Sequence, residues 1–412
     1  MADNLALKSF RLKNFKAVRD SGKVDFTPLT VFIGDNGSGK SSLVEGLQTY
    51  QRIITEGLDS AMQTWRGFEH IRNAGAGFTN KEVVGGRSYQ SNPIEFRANH
   101  RVTPADNPRS SESQAHYLSV AASPNGDEVF IFQERFNIRG RRTATRNKEG
   151  ELYDGNEKRF ENRFEFPVQS TFRPDRKRLA GGDSLLREVA HYPNLHDWIA
   201  SWQFVTLNPS GMGGAQLQQR TDATIRLNSD GSNIAEFLLD IRHRDPDAFE
   251  GLLETLQFVL PYVGDLQPAL TDVLGRQVYL EMTEEDFKLM GWLLSTGTLR
   301  ILALLALFRH PEPPPLIVIE EIENGLDPRT IHMIVEELRY LVETSTTQVI
   351  ITTHSPYLLD LLALSHIVLV ERVGGEPTFS RPANEESLHE WAKNFGAGHL
   401  YTMDKLSRRG RS

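Results

Sequence analysis

The sequence predicts an α/β fold in which one parallel sheet is assembled from two distant parts of the chain. Three observations carry this reading. An apolar strand run, LTVFIG, passes through a glycine-rich turn at residues 34–41 into a stretch with apolar residues at helical spacing (Leu43, Leu47, Tyr50, Ile54). Beyond residue 298, near-continuously apolar strands alternate with helices, the pattern of a parallel sheet covered on both faces. Between these lie a strand-rich and then a helix-rich stretch, so the sheet is split by a large insert.

Each element follows from local pattern. LALKSFRLKNF alternates, KVDF is short and LTVFIG is compact, giving three strands within residues 5–33. SSLVEGLQTYQRII then reads as a helix. From about 90 to 170, IEFRANHRV, HYLSVAA and EVFIFQERFNI are separated by polar turns such as SPNGDE, which indicates an antiparallel β region. Residues 184–262 read as mainly helical, with LHDWIASWQF, NIAEFLLDIRHR and FEGLLETLQFVL as the strongest segments. No heptad pattern persists, so no long coiled-coil arm is expected. The final part runs helix (LRILALLALFRH), turn (PEPPP), strand (LIVIEE), helix (TIHMIVEELRYLVE) and strand (QVIITTH). The expected division is residues 1–90 and 298–412 for the two parts of the core, 91–183 for a β-rich insert and 184–297 for a mainly helical lobe. The last residues, LSRRGRS, read as a basic frayed tail.

The composition of the 412 residues, 39% hydrophobic and 24% charged, is that of a soluble globular protein. No window approaches the roughly 18 uninterrupted apolar residues of a membrane helix. The opening MADNLALKSFRLKNFK carries charges where a signal peptide needs an apolar stretch, so no membrane partner and a cytoplasmic location are expected. Cysteine is absent, which excludes disulfides and thiolate metal sites. The net charge of −8 does not argue for nucleic acid. Two local stretches are basic, residues 135–148 (RFNIRGRRTATRNK) and 173–178 (RPDRKR); they read as solvated loop tips or as phosphate contacts.

Residues 34–41, GDNGSGKS, match the P-loop pattern G-x-x-x-x-G-K-[ST], with the strand before and helix after that it requires. Glycines let backbone N–H groups curl around a phosphate, and the helix N-terminus adds partial positive charge. Asn36, Gly37, Ser38, Gly39, Lys40, Ser41 and Ser42 are therefore the candidate ATP-binding residues. Lys40 would reach the β- and γ-phosphates, and the Ser41 hydroxyl would ligate Mg²⁺. The strand LIVIEE ends in two adjacent acids, as a Walker B strand does; a buried strand has little reason to do so without a cation or a reaction to serve. Glu320 is the expected Mg²⁺-associated acid and Glu321 the base that polarises water. Ser295 or Thr296 can cap the following helix, which is a sufficient structural reason for a hydroxyl there.

LSTGTLR, some 20 residues before the acidic strand, resembles the signature motif of ABC ATPases. The resemblance implies that Ser295 and Gly297 contact the γ-phosphate held by an opposite subunit. Asn324-Gly325-Leu326-Asp327 resembles the D-loop, placing Asp327 at the same interface, and His354 in ITTHSP resembles the switch histidine. LKNFK is similar to the L-x-N-F-[KR] element of the RecF-like and SMC-like branch, where the basic residue, here Lys16, lies near the nucleotide. IEEIENGLDP, WRGFEHIRNAG and FGAGHLYTMDKL are similar to segments of prokaryotic ATPases related to the OLD (overcoming lysogenization defect) family. Ile322, Asp327 and Thr296 depart from that pattern's proline, histidine and aspartate without removing a reacting group. A Q-loop glutamine is implied, with Gln133 and Gln169 as equal candidates. The residues after His354 are too few for the Toprim nuclease module of full-length OLD proteins, so none is expected. The resemblance implies an ABC ATPase head that binds ATP and Mg²⁺ and closes as a head-to-tail homodimer or higher even oligomer. It further implies a switch or motor in DNA repair or anti-phage defence, with a separate effector and DNA as candidate partners. The alternative is an ATP-binding scaffold or sensor with little turnover. A transporter subunit is disfavoured by the NFK element and the β insert, and a GTPase by the lack of an N-K-x-D motif.

Overall fold

The computed structural model describes residues 4–76, 81–84, 87–90, 92–104, 110–123, 126, 128–138, 143–146, 152–153, 183–188, 193–219, 225–271, 275–392 and 394–407. In chain order the principal elements begin with strands β1 (Asn4–Phe15), β2 (Val18–Asp20), β3 (Val24–Asp25) and β4 (Leu29–Ile33), then helix α1 (Lys40–Thr55). Five strands follow: β5 (Ile94–Thr103), β6 (Glu112–Ala122), β7 (Val129–Ile138), β8 (Thr143–Arg146) and β9 (Leu152–Tyr153). Next come α2 (Leu185–Glu188), α3 (Pro193–Ala200), β10 (Gln203–Val205), α4 (Ile234–Arg244) and α5 (Pro246–Val259). Strands β11 (Val263–Leu270), β12 (Gln277–Glu284) and β13 (Phe287–Met290) precede α6 (Thr296–Phe308) and β14 (Leu316–Ile319). The chain closes with α7 (Pro328–Thr344), β15 (Gln348–Thr353), α8 (Pro356–Asp360), β16 (Ile367–Val373), β17 (Glu376–Ser380) and α9 (Ala397–Thr402). The result is a mixed α/β fold, and no described helix is long and apolar enough to cross a membrane.

The chain divides into two units whose boundaries fall inside β4 and β16. The first comprises Met1–Thr27, Phe32–Trp202 and Val368–Pro382. Its main sheet has eight antiparallel strands in the order β9-β8-β7-β6-β5-β1-β2, with β3 also on β1. Strict alternation on β5 turns Ile94, Phe96, Ala98, His100 and Val102 inward. Against that face packs the buried side of α1, with Tyr50 at ring distances of 5.8 Å from Phe10 and 6.2 Å from Phe96. The β insert is thus joined edge to edge with the N-terminal strands.

The second unit comprises Pro28–Val31, Gln203–Ile367 and Ala383–Ser412. Here β10, β14 and β15 lie side by side in parallel, and the Val349 N–H donates to Pro28 O (2.8 Å) at the start of β4. Their side chains are buried throughout, which is why LIVI and QVIITT read as unbroken apolar runs. Helix α6 is apolar almost all round because it is enclosed on nearly every side. Residues 263–290 differ from the helical lobe expected there: β11, β12 and β13 form an antiparallel sheet. The signal was a period of two in QVYLEMTE, where Val278, Leu280 and Met282 are buried. Gly264 and Pro268 dilute it in β11, which lies at the sheet edge and tolerates them. The end of LHDWIASWQF also departs from helix. It supplies β10, beside the acidic strand.

Candidate functional site

Glycine chemistry shapes the P-loop in the first unit. Gly39 caps α1 at φ 114°, and a Cβ there would stand 2.8 Å from Pro377. Only glycine satisfies both demands. Lys40 is buried and its ammonium donates to Gly34 O (2.6 Å) and Asp35 O (3.0 Å), so it lies across the loop it serves. The Ser38 hydroxyl is buried without a hydrogen-bond partner among the described residues. An unsatisfied hydroxyl in such a loop suits an added anion, because its desolvation is otherwise uncompensated. Ser41 and Ser42 occupy the first turn of α1 and reach the surface. Asn36 and Gly37 lie on the exposed rim, and Arg372 of β16 donates to Gly37 O (2.9 Å).

Lys16 sits in the same unit on a turn where Asn14 (φ 56°) and Lys16 itself (φ 46°) adopt left-handed conformations. Segment 71–73 pins that turn. The Lys16 N–H donates to Ile71 O (2.6 Å), the Asn73 N–H to Asn14 O (2.9 Å) and the Asn73 amide to Lys16 O (2.6 Å). This gives the WRGFEHIRNAG segment a structural role. The Lys16 ammonium contacts Glu45 (2.8 Å), one turn beyond Ser41 on α1, and stands 3.7 Å above the Trp65 ring.

The remaining predicted residues lie in the second unit. Glu320 directly follows β14, with the Thr206 hydroxyl donating to Oε1 at 3.4 Å. Glu321 follows at φ 47°, a strained value for a non-glycine residue. Its N–H donates to the Thr352 hydroxyl (2.9 Å), which pins that conformation to β15. Glu321 Oε2 accepts from the Asn324 amide (2.7 Å), and Oε1 faces His354 Nε2 at 3.8 Å. The His354 N–H donates to Glu323 Oε1 (2.6 Å). Glu321 and His354 are therefore brought together by the turn after β14 and the end of β15.

A family model described as "AAA domain, putative AbiEii toxin, Type IV TA system" matches residues 29–360, most of the chain and both halves of the motif series. The chain belongs to this family. A second model, "AAA ATPase domain", matches residues 6–50 of this AAA domain. Among solved structures, the Smc head bound to the C-winged helix domain of ScpA is 13% identical, covering 91% of this chain and 96% of that one at a TM-score of 0.49. The SMC head domain from Thermotoga maritima is 16% identical, covering 91% and 98% at 0.42. An Smc head from Pyrococcus furiosus, bound to the C-terminal domain of ScpA, is 11% identical, covering 95% and 100% at 0.48. No match was found among curated proteins.

In this AAA domain Ser295 serves as the cap of α6, accepting from the Thr298 N–H (3.0 Å). Gly297 abuts the turn at residues 324–327, since a Cβ there would lie 3.2 Å from Gly325 O. Asp327 caps α7. Its Oδ1 accepts from the N–H groups of Arg329 (2.9 Å) and Thr330 (3.2 Å), and its Oδ2 from the Thr330 hydroxyl (2.6 Å). Those bonds, the Thr330 hydroxyl foremost, hold the carboxyl below its ordinary range. Gln133 sits inside β7 opposite Ser119, not on a loop, and Gln169 lies outside the described residues. Closing residues FGAGHLYTMDKL have a packing reason: a Cβ on Gly398 would collide with Pro356 O, and Asp360 accepts from the Gly398 N–H (2.8 Å).

Sequence reading missed Thr206, Arg300, Glu323, the amide of Asn324, and Arg372. Arg300 donates to Leu207 O (3.0 Å), and burial lowers its pKa against the opposing charge of Glu321. None stands out as a residue type, because each is defined by what folding places beside it.

Proposed function

We propose that this AAA domain binds and hydrolyses ATP as an ATP-dependent head-to-tail dimer, acting as a switch or motor beside a separate effector. The observation that supports it most directly is the Glu321–His354 arrangement. A carboxylate on a strained, pinned turn faces an imidazole at 3.8 Å, at the end of a buried strand, in a chain of an ATPase family. In this reading Lys40 and the loop N–H groups hold the phosphates, Glu321 takes up the proton of the attacking water, and His354 orients it. Ser41 and Glu320 are the residues that would hold Mg²⁺. Both donors are oxygens, as a hard cation requires, and phosphate and water complete such sites, so no cluster of three carboxylates is needed. When bound, the ion supplies charge neutralisation at the phosphates. Ser295, Gly297 and Asp327 would face a nucleotide on the opposite subunit, and Lys16 would lie near the one in its own. The OLD-like segments support a role in DNA repair or anti-phage defence, with DNA as a partner through residues 135–148.

A second reading, an ATP-binding sensor with little turnover, is favoured by one observation. The Ser295 hydroxyl and both Asp327 oxygens are already occupied by caps of their own helices. Turnover separates the two. ATP hydrolysis is measured for wild type and Glu321→Gln, with and without duplex DNA, and both are sized with ATP. Hydrolysis by wild type and a larger nucleotide-bound species of the variant support the switch. ATP binding without turnover in any condition moves the protein to the sensor class.

A further inference from the structure

The turn that follows β14 does more than carry Glu321. It folds back so tightly that the Asn324 N–H donates to Glu321 O (3.0 Å), and this closure sets the Asn324 side chain over the Glu321 carboxylate. Of the two carboxylate oxygens, Oε2 accepts the Asn324 amide at 2.7 Å, while Oε1 faces His354 Nε2. At 3.8 Å the Oε1–Nε2 separation is too long for a direct hydrogen bond. It is short enough for one water at about 2.8 Å from each atom. The two oxygens of the base are thus inequivalent.

We propose that Asn324 is a positioning residue for hydrolysis: its amide occupies Oε2 of Glu321 and so reserves Oε1, the oxygen paired with His354, for the water. This rests on the reading of Glu321 as the base. Three features of the molecule support it. First, Glu321 is exposed, so without a fixed donor its carboxylate would rotate and exchange its oxygens. Second, the backbone beneath it is locked at both ends, by the Thr352 hydroxyl on the Glu321 N–H and by Glu323 on the His354 N–H. The freedom left is in the Glu321 side-chain torsions, which the Asn324 amide restrains. Third, Asn324 is itself exposed, so burial in a core does not account for the placement of its amide. Other charged groups of the turn and its surroundings do not replace it. Glu320 and Glu323 are acceptors only, and Arg300 bonds to Leu207 O.

The test uses the full chain and three variants. Asn324→Asp keeps the shape and removes the donor; Asn324→Ala removes the side chain; Glu321→Gln reports whether the base reading holds. Steady-state ATP hydrolysis is measured with kcat and KM resolved, alongside a thermal melt. The expected result is that both Asn324 variants lower kcat roughly 10- to 100-fold with KM within about twofold and an unchanged melt, as loss of base positioning requires. Asn324→Asp, which also sets a second carboxylate beside Glu321, is the more severe. Wild-type kcat in Asn324→Asp overturns the proposal, as does a loss carried by KM or by the melt. Should wild type hydrolyse ATP and Glu321→Gln do so equally well, the base reading fails first, and this outcome is recognisable before the Asn324 variants are examined.

Discussion

Among the described residues are two glutamate–histidine pairs, one in each unit, and their environments are opposite. In the first unit, His116 Nε2 and Glu134 Oε1 stand 2.9 Å apart with both side chains 0% exposed. In the second, His354 Nε2 and Glu321 Oε1 stand 3.8 Å apart with 33% and 49% exposure. The buried pair is saturated. Glu134 also accepts from the Ser184 hydroxyl (2.6 Å) and the Leu185 N–H (2.9 Å), while His116 Nδ1 meets the Tyr50 hydroxyl (2.8 Å). Burial pushes the Glu134 carboxyl up, but the His116 hydrogen bond and charge, the Arg146 charge and the Ser184 bond outweigh it. The net shift is downward and the group stays ionised. Such a pair ties α1, through Tyr50, to the β insert and to the start of α2, and has no valence left for a substrate. The exposed pair keeps a gap and access to water. The same two residue types serve as a strut where they are saturated and as a candidate catalytic pair where they are not.

Substitutions sharpen this contrast. Glu321→Gln removes the proposed proton acceptor, so turnover should fall about 10²- to 10⁴-fold while the unfolding midpoint hardly moves. A large loss of stability would mean that the exposed pair is structural after all. Glu134→Ala should do the reverse. It strands His116, Ser184 and a buried N–H, at a cost of about 3–5 kcal/mol in denaturant unfolding. Full stability there would dissolve the distinction between the pairs.

His100 gives a pH-dependent version. It is fully buried against Trp198 (5.5 Å) and Trp202 (6.4 Å), and neither ring nitrogen has a partner among the described residues. Burial first, and then the charge of His116, push its pKa down to about 3. A histidine whose folded pKa is depressed binds its proton more readily when unfolded. Stability is therefore complete above the unfolded value of about 6.5 and declines as pH falls from there towards the folded value. His310, lowered mainly by burial, contributes in the same direction. Thermal melts between pH 7 and pH 5 should show this decline, and His100→Phe should reduce its slope; an unchanged slope would exclude His100 as a source. The smallest effect expected is at the P-loop rim. Arg372→Ala removes one hydrogen bond to Gly37 O and should raise the KM for ATP by about 2- to 10-fold, with kcat retained.

The strand–glycine loop–helix, the acidic end of β14 and His354 after β15 were legible because each is a pattern of residue types at short spacing. The alternation of β5 to β7 likewise announces antiparallel strands without knowledge of their partners. Strands β11 to β13 were less legible, since Gly264 and Pro268 interrupt their period. Gln133 misled for a related reason. Glutamine carries no mark that separates a strand interior from a loop, and only its register opposite Ser119 places it.

By itself, then, the sequence determined where the glycine loop, the helix start and the acidic groups occur, because glycine conformations, helix starts and buried strands are set by neighbours a few residues away. Tertiary structure alone decided which glutamate is saturated and which is open. Glu134 meets His116 across strand register and Ser184 at the far end of the insert. Glu321 meets His354 because two parallel strands end side by side. Burial, the second oxygen of a carboxylate and the torsion of an exposed side chain depend on contacts made over long sequence separations. Residue identity fixes what a group can do, and packing fixes which partner it meets and whether water reaches it.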